Sequence, residues 1–161
     1  MEVRNKVRSI AHDLDVAKIT VIGVPDRPGI AAALFGPLAK AGISVDTIVQ
    51  NASIENITDL TFTVSKNDLD QAMKVVAPIA KEIGARECVS DSRLGKVSIV
   101  GTGMQNTPGY AARMFSALSE RGINIQLITT SEIRITCIIA EDRVKEAVRA
   151  LHRAFEAEVQ G

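Results

Sequence analysis

A duplicated block constrains this chain more than any other feature in it. Lys18-Ile-Thr-Val-Ile-Gly23 recurs as Lys96-Val-Ser-Ile-Val-Gly101, and each run is short, apolar and rich in β-branched residues, the pattern of a buried strand. A loop ending in Pro-Gly follows each run, at Pro28-Gly29 and at Pro108-Gly109. Apolar residues then fall at helical spacing, Ile30, Leu34, Phe35 and Leu38 in one copy and Tyr110, Met114, Phe115 and Leu118 in the other, which predicts two amphipathic helices. Gly42 and Gly122 stand where a left-handed helix stop is needed, and strands are expected after them, over Ile43 to Gln50 and Ile123 to Thr129.

The first copy continues with a strand at Asp59 to Val64, a helix from Asp68 to Glu82 and a short strand near Arg86 to Val89, giving the order βαββαβ. The second continues with a strand at Glu132 to Ile139 and a helix from Asp142 to Ala157, then ends without a clear last strand. The fold class is therefore α+β, two ferredoxin-like βαββαβ modules with antiparallel sheets. Glu2 to Ala11, with Val3, Val7 and Ile10 as its apolar positions, has no partner of its own, and an open sheet edge is a liability. That N-terminal segment is expected to complete the second module. The domains are then 1–14, a strand segment pairing with the second module; 15–92, module 1; and 93–161, module 2.

Two cores are affordable, because 161 residues at 46% hydrophobic supply the material, and with 3% aromatic and no Trp they must be packed from Val, Ile, Leu and Ala. Nineteen Lys and Arg balance nineteen Asp and Glu, so no net field recruits nucleic acid or an anionic membrane, and neither is an expected partner. Met1 to Asp15 is charged throughout, and no stretch nears the roughly 18 apolar residues of a membrane span, so a cytoplasmic location is expected. Cys88 and Cys137 lack a CxxC pair or a histidine at ligand spacing, and are read as inert reduced thiols. His12 and His152 are read as solvated or structural, with no metal or cofactor expected.

Motifs for a phosphate cradle, a nucleophile elbow or a zinc protease are missing, and Gly101-Thr-Gly103 lacks the third glycine of a dinucleotide loop. A non-catalytic binding role is expected instead. The strand-to-helix junction Gly23-Val-Pro-Asp-Arg-Pro-Gly-Ile30 suits a free amino acid: helix N–H groups favour a carboxylate, and Asp26 can face an ammonium. On chemistry alone the first reading of Asp26 is a helix cap, which does not exclude ligand binding. Gln50 and Asn51, ending an apolar run, either hold a side-chain hydroxyl or meet solvent.

Val24-Pro-Asp-Arg-Pro-Gly29, Asp46-Thr-Ile-Val-Gln-Asn51, Thr58-Asp-Leu-Thr-Phe-Thr63, Gly95-Lys-Val-Ser-Ile-Val-Gly101 and Ser131-Glu-Ile-Arg-Ile135, in that order, resemble the ACT-domain regulatory region of aspartokinases, particularly the short regulatory subunits of the heterotetrameric enzymes. The resemblance covers nearly the whole chain. It implies paired regulatory chains, a homodimer, associated with a separate catalytic aspartokinase subunit in a heterotetramer. It also implies feedback inhibition by threonine, lysine or both, the effector sitting between a first and a second repeat, often from another subunit. Carried over, it puts Asp26 near the effector ammonium, the Gly29, Ile30 and Ala31 backbone at its carboxylate, and Gln50 at its side chain. Ala111, Asn124 and Ile125 would close the pocket; Ser44, Val45, Asp46, Ser53, Ser131 and Glu132 form a second tier. The second repeat has Gln105-Asn-Thr107 where the first has the loop around Asp26, so one main site per chain is expected. The alternative is a stand-alone ACT amino-acid sensor regulating another enzyme or a transcription factor.

Overall fold

The structure, a computed structural model, describes residues 6–51 and 54–159. In chain order these form β1 (Val7–Pro25), α1 (Ile30–Lys40), β2 (Ile48–Gln50), β3 (Ile57–Val64), α2 (Leu69–Glu82), β4 (Glu87–Gly101), α3 (Tyr110–Glu120), β5 (Leu127–Thr130), β6 (Arg134–Ala140), α4 (Val144–Ala154) and α5 (Glu156–Val159). They divide into two compact units, one holding 15–92 and the other 6–14 with 93–159.

In the 15–92 unit the strand order is β2-β3-β1-β4, with β1 and β3 antiparallel from Ala17 opposite Val64 to Pro25 opposite Ile57. β2 pairs antiparallel with β3, Ile48 opposite Phe62 and Gln50 opposite Leu60. Side chains alternate across a strand, so Ala17, Ile19 and Val21 share one face with Leu60, Phe62 and Val64. That face meets Ile30, Leu34 and Leu38 of α1 and Ala72, Val76 and Ala80 of α2, all buried. Phe35 meets Phe62 edge to face, ring centroids 5.2 Å apart. Truncating a fully buried residue such as Leu38 to Ala costs about 2–5 kcal/mol at a site like this.

The other unit has the order β1-β4-β6-β5, with β4 antiparallel to β6 from Leu94 opposite Ala140 to Val100 opposite Arg134. Its core joins Val97, Ile99, Ile135, Cys137 and Ile139 to Met114 and Leu118 of α3, Val144, Ala147 and Leu151 of α4, and Phe155. The N-terminal part of β1 takes the place of the strand that this repeat lacks, so the open edge is filled by chain from the other terminus. Gly101 permits the approach: a Cβ there would overlap the Lys6 carbonyl, and the next residue, Thr102, donates its N–H to that same carbonyl at 3.1 Å. Glu2 to Asn5 of the expected segment lie outside the described residues.

Boundaries differ from the sequence expectation in instructive ways. Strands expected over Ile43 to Gln50 and Ile123 to Thr129 begin only at Ile48 and Leu127. The residues before them finish the helix stops: Ile43 donates to Leu38 and Ile123 to Leu118, each at 3.0 Å, closing left-handed turns at Gly42 and Gly122. The short strand near Arg86 and the run from Lys96 are one strand, β4, and Lys18 to Gly23 lies in the C-terminal half of a longer one, β1. The last helix breaks at Phe155, whose ring is fully buried, so what was expected as one helix is α4 and α5.

Candidate functional site

The β1–α1 junction is built by three local decisions. β1 carries an irregularity between Val21 and Val24, where the Gly23 N–H takes the Asp59 carboxylate at 3.0 Å. Past Pro25 the chain leaves the sheet, and the Asp26 N–H donates to the Asn56 carbonyl at 2.8 Å. Then Gly29, at φ 92°, turns the chain into α1 from the left-handed region, which costs a residue without Cβ nothing.

Gly29 is the N-cap, and no side chain caps the helix. Of the two readings of Asp26, capping is therefore not what its carboxylate does; the group is exposed. The Ile30 N–H reaches the Arg27 carbonyl at 3.4 Å and the Ala33 N–H the Gly29 carbonyl at 3.0 Å, while Ala31 and Ala32 precede any intrahelical acceptor. A Cβ on Gly29 would meet nothing within 4 Å, so the space over the turn is open. A helix start that favours an anion and an exposed carboxylate thus lie on one short loop, Asp26 to Gly29, a combination of charges that suits a zwitterion.

The remaining residues of the first group lie on the same unit. Ile30 is buried in the core and can offer only its backbone; Ala31 is exposed in the first turn. Gln50 is exposed at the end of β2, and its partner Leu60 puts it on the helix-bearing face of the sheet. Next to it, the Asn51 carbonyl accepts the Thr58 hydroxyl at 2.7 Å. Ser44 and Val45 lie in the α1–β2 connection, and the Asp46 N–H donates to the Thr63 carbonyl at 3.1 Å. Ser53 lies outside the described residues.

The second group lies on the other unit. Ala111, half-buried, is in the first turn of α3; Asn124, exposed, and Ile125, half-buried, precede β5. Ser131 and Glu132 form the β5–β6 turn, where the Ser131 N–H takes the Arg134 carbonyl at 2.8 Å and the Glu132 carbonyl accepts the Met104 N–H at 2.9 Å. The junction before α3 also starts on an uncapped left-handed glycine, Gly109, at φ 98°.

Sequence reasoning missed Asn56. Glu55 and Asn56 both have positive φ, 57° and 62°, in a two-residue turn between Ile54 and Ile57. Asn at such a position is a hairpin signal. It also missed Glu158, which receives hydrogen bonds from Val7 and Arg113. A groove of about 470 Å³ has His12, Leu14, Val144, Lys145, Val148 and Arg149 among its lining residues. His12, Lys145 and Arg149 stay solvated there, so no desolvated recognition group is built into it. Among the described residues no group of three His, Cys, Asp or Glu side chains could hold a metal, and no helix is long and apolar enough to cross a membrane.

Two antiparallel ferredoxin-like modules with a glycine-started helix after the first strand define the class, and two ACT domain models match, one over residues 18–80 and the other over 97–155. The relatives narrow it. The regulatory subunit of aspartate kinase from Thermus thermophilus, in a ligand-free form, is 44% identical with a TM-score of 0.88, covering 92% of this chain and 98% of that one. A chain from a structure of aspartokinase alpha and beta subunits is 43% identical with a TM-score of 0.86, covering 93% of this chain and 99% of that one. The aspartate kinase of Pseudomonas fluorescens (strain SBW25) is 53% identical over 150 residues, 93% of this chain but 36% of that protein. The chain belongs to the aspartate kinase regulatory subunit family, with a pair of ACT modules, and spans about a third of the length of the whole kinases it matches.

Proposed function

We propose that this chain is a cytoplasmic effector-binding subunit that controls the phosphorylation of aspartate by a separate catalytic chain, with threonine as first effector and lysine as second. The observation that carries the reading is the β1–α1 junction: a helix start that no side chain caps, with open space over Gly29, follows an exposed carboxylate, Asp26, on the same short loop. Asp26 takes the effector ammonium, the backbone of Gly29, Ile30 and Ala31 its carboxylate, and Gln50 its side chain. Ala111, Asn124 and Ile125 of a second copy close the pocket, which makes the effector part of a homodimer interface. The catalytic chain completes a heterotetramer, and the output is feedback inhibition in the synthesis of lysine, threonine and methionine.

Energetics suit the assignment. A charge-assisted hydrogen bond to Asp26 is worth about 1.5–3 kcal/mol, and an effector shifts its partner only by its differential affinity for two states, about 1–3 kcal/mol in such systems. Calorimetric titration of the chain with threonine, lysine, methionine and isoleucine tests this, repeated on Asp26→Ala. Binding of threonine, or of threonine and lysine, that Asp26→Ala weakens supports the assignment. Saturating threonine and lysine with neither heat nor a shift in melting temperature would sink it.

A further inference from the structure

Glu158 sits near the end of the described chain on α5, a helix of one turn, too short to be stable from backbone hydrogen bonds alone. Its neighbours nevertheless come from elements far apart in sequence. One carboxylate oxygen accepts the Val7 N–H at 3.0 Å, and the other accepts Nη1 of Arg113 at 2.7 Å. The Tyr110 hydroxyl bonds to the same carboxylate. Arg113 is itself held, donating to the Ala154 carbonyl at 2.9 Å and lying over the Phe155 ring at 4.4 Å. Tyr110 also packs against that fully buried ring, centroids 6.3 Å apart.

Tyr110 and Arg113 bracket Ala111, so Glu158 grips the turn of α3 that carries it and the first residue of β1 at once. We propose that Glu158 is a positioning residue that fixes the Ala111 turn of α3 to the start of β1, so that effector contact at Ala111 is felt along the N-terminal strand. This rests on the effector reading above for its consequence, but the linkage between α3 and β1 stands on the contacts alone. A carboxylate is needed because the three donors are an arginine, a hydroxyl and a backbone N–H, and an anion with two oxygens can accept from all of them. An amide keeps an acceptor for Val7 and loses the ionic hold on Arg113.

Amide hydrogen exchange on the full chain, with and without threonine, tests it. Without effector, Glu158→Ala should speed exchange at residues 7–11 and 113–116 by about tenfold or more, equivalent to about 1.4 kcal/mol of local stability. Exchange in β6 should stay as in the parent. Glu158→Gln should restore protection at 7–11 better than at 113–116, a split that a merely structural role would not produce. With threonine, the parent should gain protection at both segments, whereas Glu158→Ala should bind threonine within about threefold and gain none at 7–11. Should Glu158→Ala fail to fold, Arg113→Met removes the ion pair and should release 113–116. The proposal is overturned if exchange at 7–11 ignores Glu158→Ala, if β6 loosens equally, or if Arg113→Met leaves 113–116 as protected as before. Threonine that protects nothing in the parent sinks the effector reading, while the effector-free arm still decides the role of Glu158.

Discussion

The Asp26 N–H donates to the Asn56 carbonyl at 2.8 Å, so the loop that presents the carboxylate hangs from the tip of the β2–β3 hairpin. Met104 and Glu132 repeat the device in the other module, N–H to carbonyl at 2.9 Å. In each case the carbonyl of a turn residue fixes the loop that leaves the module's opening strand; Asp26 stays exposed there, whereas Met104 is buried in its core.

Asn56 should therefore tolerate glycine and reject a β-branched residue. At φ 62°, Asn56→Val costs about 1–2 kcal/mol from Cβ crowding, whereas Asn56→Gly changes stability by a few tenths. Urea denaturation of both variants checks this; equal midpoints would show that the hairpin tip relaxes freely.

Asp26→Ala should separate binding from stability. The side chain is exposed and caps nothing, so stability should change by less than about 0.5 kcal/mol, while effector affinity falls about tenfold or more. A melting curve beside a titration reads both quantities. A large loss of stability with unchanged affinity would assign Asp26 to the fold instead.

Gly101→Ala should be among the most damaging small substitutions. Its methyl group would collide with the backbone carbonyl of Lys6, which no rotamer can relieve, so the N-terminal strand must move. A loss of about 2–4 kcal/mol is expected, with faster exchange at residues 7–11. A variant as stable as the parent would show that β1 contributes little to this unit.

Cys137 should be silent to thiol reagents in the folded protein. Burial pushes its thiol up to about 12, and its neighbour is the Met114 sulfur at 4.0 Å. Reagent at pH 8 should label Cys137 only after denaturation, because the thiolate is the reactive form. Cys88, half-buried and raised by burial as well, should react first. Rapid labelling of Cys137 in the native state would contradict the packing.

Glu158 should make stability fall in acid. Burial pushes its carboxyl up, but the Val7 N–H, the Arg113 side chain and charge, and the Tyr110 hydroxyl outweigh it, and the net shift is downward from 4.5. A depressed folded value means that the contribution is complete above the ordinary value and is lost as pH falls through the folded one. Stability measured from pH 7 to pH 3 should drop less in Glu158→Gln than in the parent. Parallel curves would remove Glu158 from the acid response.

Much of the architecture was legible because it was written twice. The paired Lys-X-X-X-X-Gly strands, the Pro-Gly helix starts and the Gly42 and Gly122 stops each use a residue whose backbone preference is local, so the copies reinforce one another. Helix α1 was readable through Pro37 and α2 through Pro78 because their apolar spacing outweighed one missing N–H. The strand boundaries were less legible. Ile43 and Ile123 look like strand in sequence, but their N–H groups are spent on closing the preceding helices.

The sequence by itself determined the two modules, their class and the junction around Asp26, because periodicity, glycine and proline act within a few residues. Tertiary structure alone decided that Gly29 rather than Asp26 caps α1, that Asn56 holds the Asp26 loop, and that Glu158 meets Val7 and Arg113. The last two facts depend on hydrogen-bond partners brought together only when the sheets and helices close, and no local propensity encodes a partner that distant.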